Sequence, residues 1–221
     1  MPPLAGAQVI TSYDLTFARA SGYGGWTNTY NGTISPASVA GFYSYTGGSG
    51  TLNDGIVSTS ASNNQLFTLT NGSGGPVVSP TITLHLDASY FITGIEVFGG
   101  GPGSPPGNYY FGNLAGATFN FGQGSSLALG STDFGPANLI GGHSIDDLFS
   151  FANTSFASIA TNTITLGNFQ LDTQVAAFGV TEIKVFGLAT PEPHTVALLA
   201  AGLLAVGWIA RQRRPGRDRL A

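Results

Sequence analysis

The chain has 221 residues, of which 8% are charged, 42% are apolar, 33 are glycine and none is cysteine. Residues 1–190 carry two basic and nine acidic side chains, a balance of the wrong sign for counterion-release binding to nucleic acid. The missing cysteine excludes disulfides and thiolate metal sites, and the apolar content is enough to bury the core of one ordinary domain, which excludes disorder for most of the chain.

In chain order, Ala5 and Ala7 before Gln8 resemble the small residues of a secretion-signal cleavage site, so residues 1–7 are expected to be a signal remnant and the mature chain to begin near Gln8. Residues 9–17 alternate, with Val9, Thr11, Tyr13, Leu15 and Phe17 on one face, the period of a strand. Similar runs recur at 81–86, 91–98, 117–121, 163–171 and 177–186. Turn signals punctuate them: Asn31-Gly32, Asp54-Gly55, Asn71-Gly72 and the Gly/Pro-rich segment 99–107. One helix is expected, over 144–152, from Ser144 with Asp147 as a capping box and from Ile145, Leu148, Phe149 and Ala152 at helical spacing. Many short strands between such turns predict an all-β sandwich or barrel. Segments 92–99 and 180–187 also echo one another, identical at five of eight positions.

Chemistry-bearing residues are sparse. His85 and His143 have no second ligand at a zinc spacing, no nucleophile elbow is present, and Asp146-Asp147 is expected to be a solvated loop or helix start. The expectation is a protein that is not an enzyme. Trp26 in its Gly-rich loop and Tyr109 and Tyr110 after the 99–107 segment could stack on sugar rings, though aromatic residues also begin strands.

The C-terminus has its own organisation. Pro191, Glu192 and Pro193 precede residues 196–210, fifteen positions without a charge, and five of the seven basic residues follow in the last eleven. As a helix the apolar run spans roughly 22 Å, less than the roughly 30 Å hydrocarbon core, and crosses with snorkelling arginines. The positive-inside rule keeps those arginines cytoplasmic. This tail resembles the PEP-CTERM sorting signal of Gram-negative bacteria. The resemblance implies recognition by an exosortase, transient anchoring in the inner membrane through 196–210, and export of residues 8–190 to the envelope or extracellular matrix, with 191–221 as the sorting segment.

The exported part carries, in order, the Asp54-Gly55 loop with Thr59, the run 81–90 ending in Leu-Asp-Ala-Ser-Tyr, the strand Ile-Thr-Gly-Ile-Glu-Val-Phe-Gly at 92–99, and Thr-Glu-Ile-Lys-Val-Phe-Gly at 181–187. That order resembles the discoidin or coagulation-factor type C domain, a galactose-binding-like jelly-roll β-sandwich. A tryptophan usual in that family soon after the loop threonine is missing from 60–67, so packing there must differ. By the same resemblance, a structural Ca2+ would be held by Asp54, Thr59 and Glu182 with carbonyls of Thr51, Ile56 and Thr181. The resemblance implies binding of an envelope glycan or exopolysaccharide; the low charge leaves open a structural biofilm-matrix protein without a small ligand.

Overall fold

The computed structural model describes residues 6–58, 61–70, 76–99, 114–131, 139–140, 143–144, 146–171 and 177–190, and Leu203, Leu204, Val206 and Trp208 of the tail. It divides into two units, Met1–Leu188 and Ala189–Ala221. The first is built from strands β1 (Ala7–Gln8), β2 (Ile10–Ala18), β3 (Thr33–Pro36), β4 (Tyr43–Gly48), β5 (Gln65–Thr68), β6 (Thr81–Gly99) and β7 (Leu114–Asn120). It continues with β8 (Ser126–Gly130), β9 (Leu139–Ile140), β10 (His143–Ser144), β11 (Asp146–Ser150), β12 (Ala160–Leu171) and β13 (Ala177–Ala189).

The main sheet runs β3-β4-β2-β5-β13-β6-β12-β7-β8, with β1 added to β13 and β11 to β6. Strand β6 explains how one sheet makes two layers. Its first half alternates buried Ile82, Leu84 and Leu86 with half-exposed Thr81, Thr83 and His85 and pairs with β2 and β12. Asp87, Ala88 and Ser89 are then exposed, and the second half pairs with β11. Strands that are not paired meet through their rings across the core: Phe169 of β12 lies 4.8 Å from Phe178 of β13, and Phe119 of β7 lies 5.0 Å from Phe149 of β11. The result is the all-β sandwich expected from the strand pattern. The two echoing segments fall in β6 and β13, neighbours in the sheet.

Three sequence expectations are corrected. The segment expected as a helix at 144–152 is strand β11 over Asp146–Ser150, because pairing with β6 sends Phe149 into the core and Asp147 Oδ2 accepts the amide of Leu114 at 2.7 Å. Asp146 and Asp147 are each 1% exposed, not solvated. The face expected for 9–17 holds only at Tyr13 and Leu15; Val9 is exposed and Ile10 and Ala18 are buried instead. Irregular registers between Ile10 and Ser12 and between Leu15 and Ala18 switch the inward set, as bulges do, and Phe17 takes a φ of 52° there.

In the tail, Leu203, Leu204, Val206 and Trp208 are helical and exposed. Among the described residues no helix is long and apolar enough to cross a membrane.

Candidate functional site

The loop after β4 is shaped by its own polar side chains. Asn53 Oδ1 accepts the amide of Gly50 at 2.9 Å, and Asn53 Nδ2 donates to the carbonyl of Ile10 at 2.9 Å, which ties the loop to the start of β2. Asp54 Oδ1 accepts the amide of Ile56 at 2.8 Å in an Asx turn, and Gly55 supplies the positive φ of 79° that the turn needs. Strand β13 arrives from the far end of the chain and locks this loop. Glu182 Oε2 accepts the Gly55 amide at 3.0 Å, Thr181 Oγ1 accepts that of Ser58 at 3.1 Å, and Ile183 donates its amide to the Leu52 carbonyl at 2.9 Å.

Glu182 is only 6% exposed. Burial pushes its carboxyl up to about 7; the Gly55 amide opposes the shift, nearby Asp54 adds to it, and Lys184 offsets it only in part. Of the six residues expected around a calcium ion, Asp54, Thr51, Ile56, Thr181 and Glu182 therefore gather at one loop–strand junction, while Thr59 lies outside the described residues. Thr51 is fully buried, its Oγ1 accepting from Thr29 N at 2.9 Å and donating to Asn63 Oδ1 at 3.0 Å, so only its carbonyl suits a cation. Among the described residues no three His, Asp or Glu side chains converge as a metal-holding group. Glu182 is buried, Asp54 is near enough to raise its carboxyl, and the loop's other donors are hard oxygens, which is the chemistry a calcium ion would need.

Beside this junction runs an open groove of about 640 Å³, lined by Thr11, Tyr30, Asn31, Ser49, Asn53 and Asp54 among others. Its polar groups are held in place. Tyr30 OH donates to the Tyr13 carbonyl at 2.8 Å and accepts from Gly48 N at 2.7 Å; its ring sits 5.1 Å from both Tyr13 and Tyr45. Asn31 Nδ2 donates to Ser49 Oγ at 3.0 Å, and Asn31 Oδ1 accepts from Ser49 N at 2.7 Å. A second hollow of about 370 Å³ shares Val9, Ile10, Asn53 and Asp54 with the groove and reaches Glu182 and Lys184.

The aromatic candidates are placed differently. Trp26 is 9% exposed and its ring closes over Gly179 of β13, where an added Cβ would stand 3.0 Å from Trp26 Cζ3 and would collide with the Asn64 amide. The ring thus packs beside residues 61–64, near the loop whose usual tryptophan is missing. Tyr109, Tyr110, Pro191, Glu192 and Pro193 lie outside the described residues.

Sequence reasoning missed two polar arrangements. His85 Nε2 lies 2.9 Å from Asp14 Oδ2, a carboxylate brought from β2 by the β2–β6 pairing, with each side chain about one-third exposed. Arg19 is 1% exposed, and its guanidinium donates to Thr68 Oγ1, Gly41 O and Thr70 O between the rings of Tyr23 and Phe42. Spacing could not reveal either, since both are assembled across strands.

Comparison with known proteins adds the following. No curated protein matches the chain. Among solved structures it is similar to the C-terminal domain of a chitobiase from Bacteroides fragilis, with 14% identity, 84% of this chain and 100% of that chain covered, and a TM-score of 0.45. It is also similar to an F5/8 type C domain from Bacteroides fragilis, with 14% identity, 63% and 80% covered, and a TM-score of 0.39. A third is CBM32-3 from a family 31 glycoside hydrolase of Clostridium perfringens, with 13% identity, 56% and 74% covered, and a TM-score of 0.33. The family model of the PEP-CTERM protein-sorting motif matches residues 189–214, and that segment is the chain's sorting motif.

Proposed function

We propose that this is an exported, non-catalytic surface or matrix protein of a Gram-negative bacterium, delivered through its C-terminal motif and holding an envelope glycan or exopolysaccharide in the groove beside the Asp54 loop. The groove carries the glycan reading. Its wall offers hydroxyls and amides already fixed by internal hydrogen bonds, one aromatic ring, and little charge, which suits an uncharged polyhydroxylated chain better than an anion or a peptide. Ordered donors and acceptors cost little further entropy when a ligand binds.

In this reading residues 8–190 form the exported domain, residues 196–210 hold the chain in the inner membrane with the arginines on the cytoplasmic side, and an exosortase processes the 191–221 segment. A calcium ion at Asp54 and Glu182 would supply the positive charge that Glu182 lacks and would fix the wall of the groove. Tyr109 and Tyr110 are candidates for additional sugar contacts, whereas the Trp26 ring is buried against Gly179 and serves packing.

Purified exported domain on a glycan array should bind neutral polysaccharide fragments. Asn31→Ala should weaken that binding about tenfold, roughly 1.4 kcal/mol, while leaving the melting temperature within a few degrees. Binding to none of the array, by a protein that is folded and calcium-loaded, would favour the structural-matrix role over the binding role.

A further inference from the structure

Residues 20–53 contain no charged side chain and no histidine, although residues 1–190 as a whole carry nine acidic against two basic groups. This neutral stretch forms β3 and β4, and β3 ends the path of the main sheet. At the other end of that path β8 keeps Leu127 and Leu129 half-buried against the core, whereas all four residues of β3 are exposed. Proteins ordinarily guard such an edge with charges, a proline or a bulge. Here the guard is Pro36, at the last position of the strand.

The register shows which main-chain groups are open. Thr33 lies opposite Thr46, Ile34 opposite Tyr45, Ser35 opposite Ser44 and Pro36 opposite Tyr43. One step further, the Ala37 amide donates to the Phe42 carbonyl at 2.9 Å. Hydrogen-bonded pairs alternate along an antiparallel ladder, so Thr33 and Ser35 bond to β4 while Ile34 turns both its N–H and its C=O to the outer edge. Pro36 turns only a C=O there. Among the described residues no strand pairs with that edge. The Ile34 side chain shares the face of its neighbour Tyr45, which is 1% exposed, yet Ile34 is 46% exposed. It extends the apolar inner face one strand beyond the core.

We propose that two copies of this chain pair through β3, antiparallel about a two-fold axis at Ile34. Ile34 of each copy then donates its N–H to, and accepts from, Ile34 of the other. The Pro36 carbonyl of each copy faces Gly32 of the other, where no side chain stands against the proline ring. The two Ile34 residues, about 5.5 Å apart at Cα, carry their side chains on the same face and cover one another. Any extended peptide offers main-chain bonds. A second copy is favoured because the residue that opens both its main-chain groups is also the exposed isoleucine, so one two-fold match satisfies bonds and apolar surface together. Two domains of like net charge repel, and this edge lets them meet where neither carries charge. The same edge is consumed in both copies, so the pairing closes as a dimer. With few residues taking part the contact is weak, and it gains when copies are concentrated on one surface.

The absence of cysteine makes disulfide trapping specific. In the full chain, solubilised in detergent, Ile34→Cys should give a disulfide-linked dimer under mild oxidation, because hydrogen-bonded antiparallel partners have a Cα separation that a disulfide accepts. Val77→Cys, at a site 78% exposed, reports chance collision. Trapping at position 34 should be faster than that control by about tenfold or more, since pairing raises the effective concentration of the two thiols. A mixture of Thr33→Cys and Ser35→Cys chains should join one to the other, because the two-fold axis sets those positions opposite, and Ser35→Cys alone should lag behind the mixture. Adding Ile34→Lys to both chains of the mixture, with melting transitions checked to be unchanged, should reduce their joining to the control rate by setting two ammonium groups against each other. Trapping of Ile34→Cys at the control rate, or joining of the mixture unaffected by Ile34→Lys, would overturn the proposal.

Discussion

Excess chelator should lower the melting temperature of the exported domain by roughly 5–10 °C, and Asp54→Ala should abolish that sensitivity. A cation bound only by the folded state stabilises it by mass action, about 2.7 kcal/mol at a hundredfold excess over its dissociation constant, and a domain of this size moves by about 2–4 °C per kcal/mol. The pH dependence follows from Glu182. Its folded carboxyl is raised to about 7 from the usual 4.5, chiefly by burial, with Asp54 and Lys184 as the charged neighbours. Between those values the folded state holds a proton that the unfolded state has released, so without metal the contribution of this group to stability falls as pH rises and levels off above 7. Calcium replaces the proton, so its stabilising effect should be small at pH 5 and largest above pH 7. Identical melting curves with calcium and with chelator at pH 8 would remove the ion from the junction.

Arg19→Met should cost about 3–5 kcal/mol, on the order of 10 °C in melting temperature. The guanidinium donates to Thr68 Oγ1 at 2.8 Å, Gly41 O at 2.7 Å and Thr70 O at 3.1 Å, and its Cζ lies 4.2 and 4.1 Å from the ring centres of Tyr23 and Phe42. Removing it leaves two carbonyls of separate loops without their donor and forfeits two cation–π contacts. The Arg19 carbonyl itself is held by Tyr45 OH and Gln65 Nε2, each at 2.9 Å, so the residue joins β2 to β4 and β5 at both ends. Arg19→Lys keeps the charge but loses the planar fork, and most of the loss should remain. Urea unfolding provides the measurement, and a change below about 1 kcal/mol for Arg19→Met would contradict the account.

The sequence and the structure agree where a single strand carries its own signal. The alternation of Ile82, Leu84 and Leu86 predicts an inward face and the structure buries all three. The echo between 92–99 and 180–187 becomes a pair of neighbouring central strands. The Asp54 loop and Glu182, linked in the sequence only through a family resemblance, do come together. Legibility ends where a residue's partner lies on another strand. At 144–152 the helical spacing of Leu148 and Phe149 gave the wrong element, because backbone pairing with β6 outweighs local periodicity. Asp146 reads as a surface charge until the ladder sets it beside Glu96, and Arg19 reads as an isolated base until three loops close around it. The face of 9–17 departs from the alternation at both ends because a bulge has no strong sequence mark when no glycine occupies it.

The most direct test of the exported, sorted character of this protein is to follow its C-terminus in the native host after replacing Pro191, Glu192 and Pro193 by alanine. Comparing intact masses of the unsubstituted and substituted proteins from the envelope and the medium, the account predicts that both are exported, that the unsubstituted protein has lost residues beyond the motif, and that the substituted one keeps its arginine tail and stays with the membrane. Equal C-terminal processing of the two proteins, or an unsubstituted protein that retains residues 196–221 outside the cell, would contradict it.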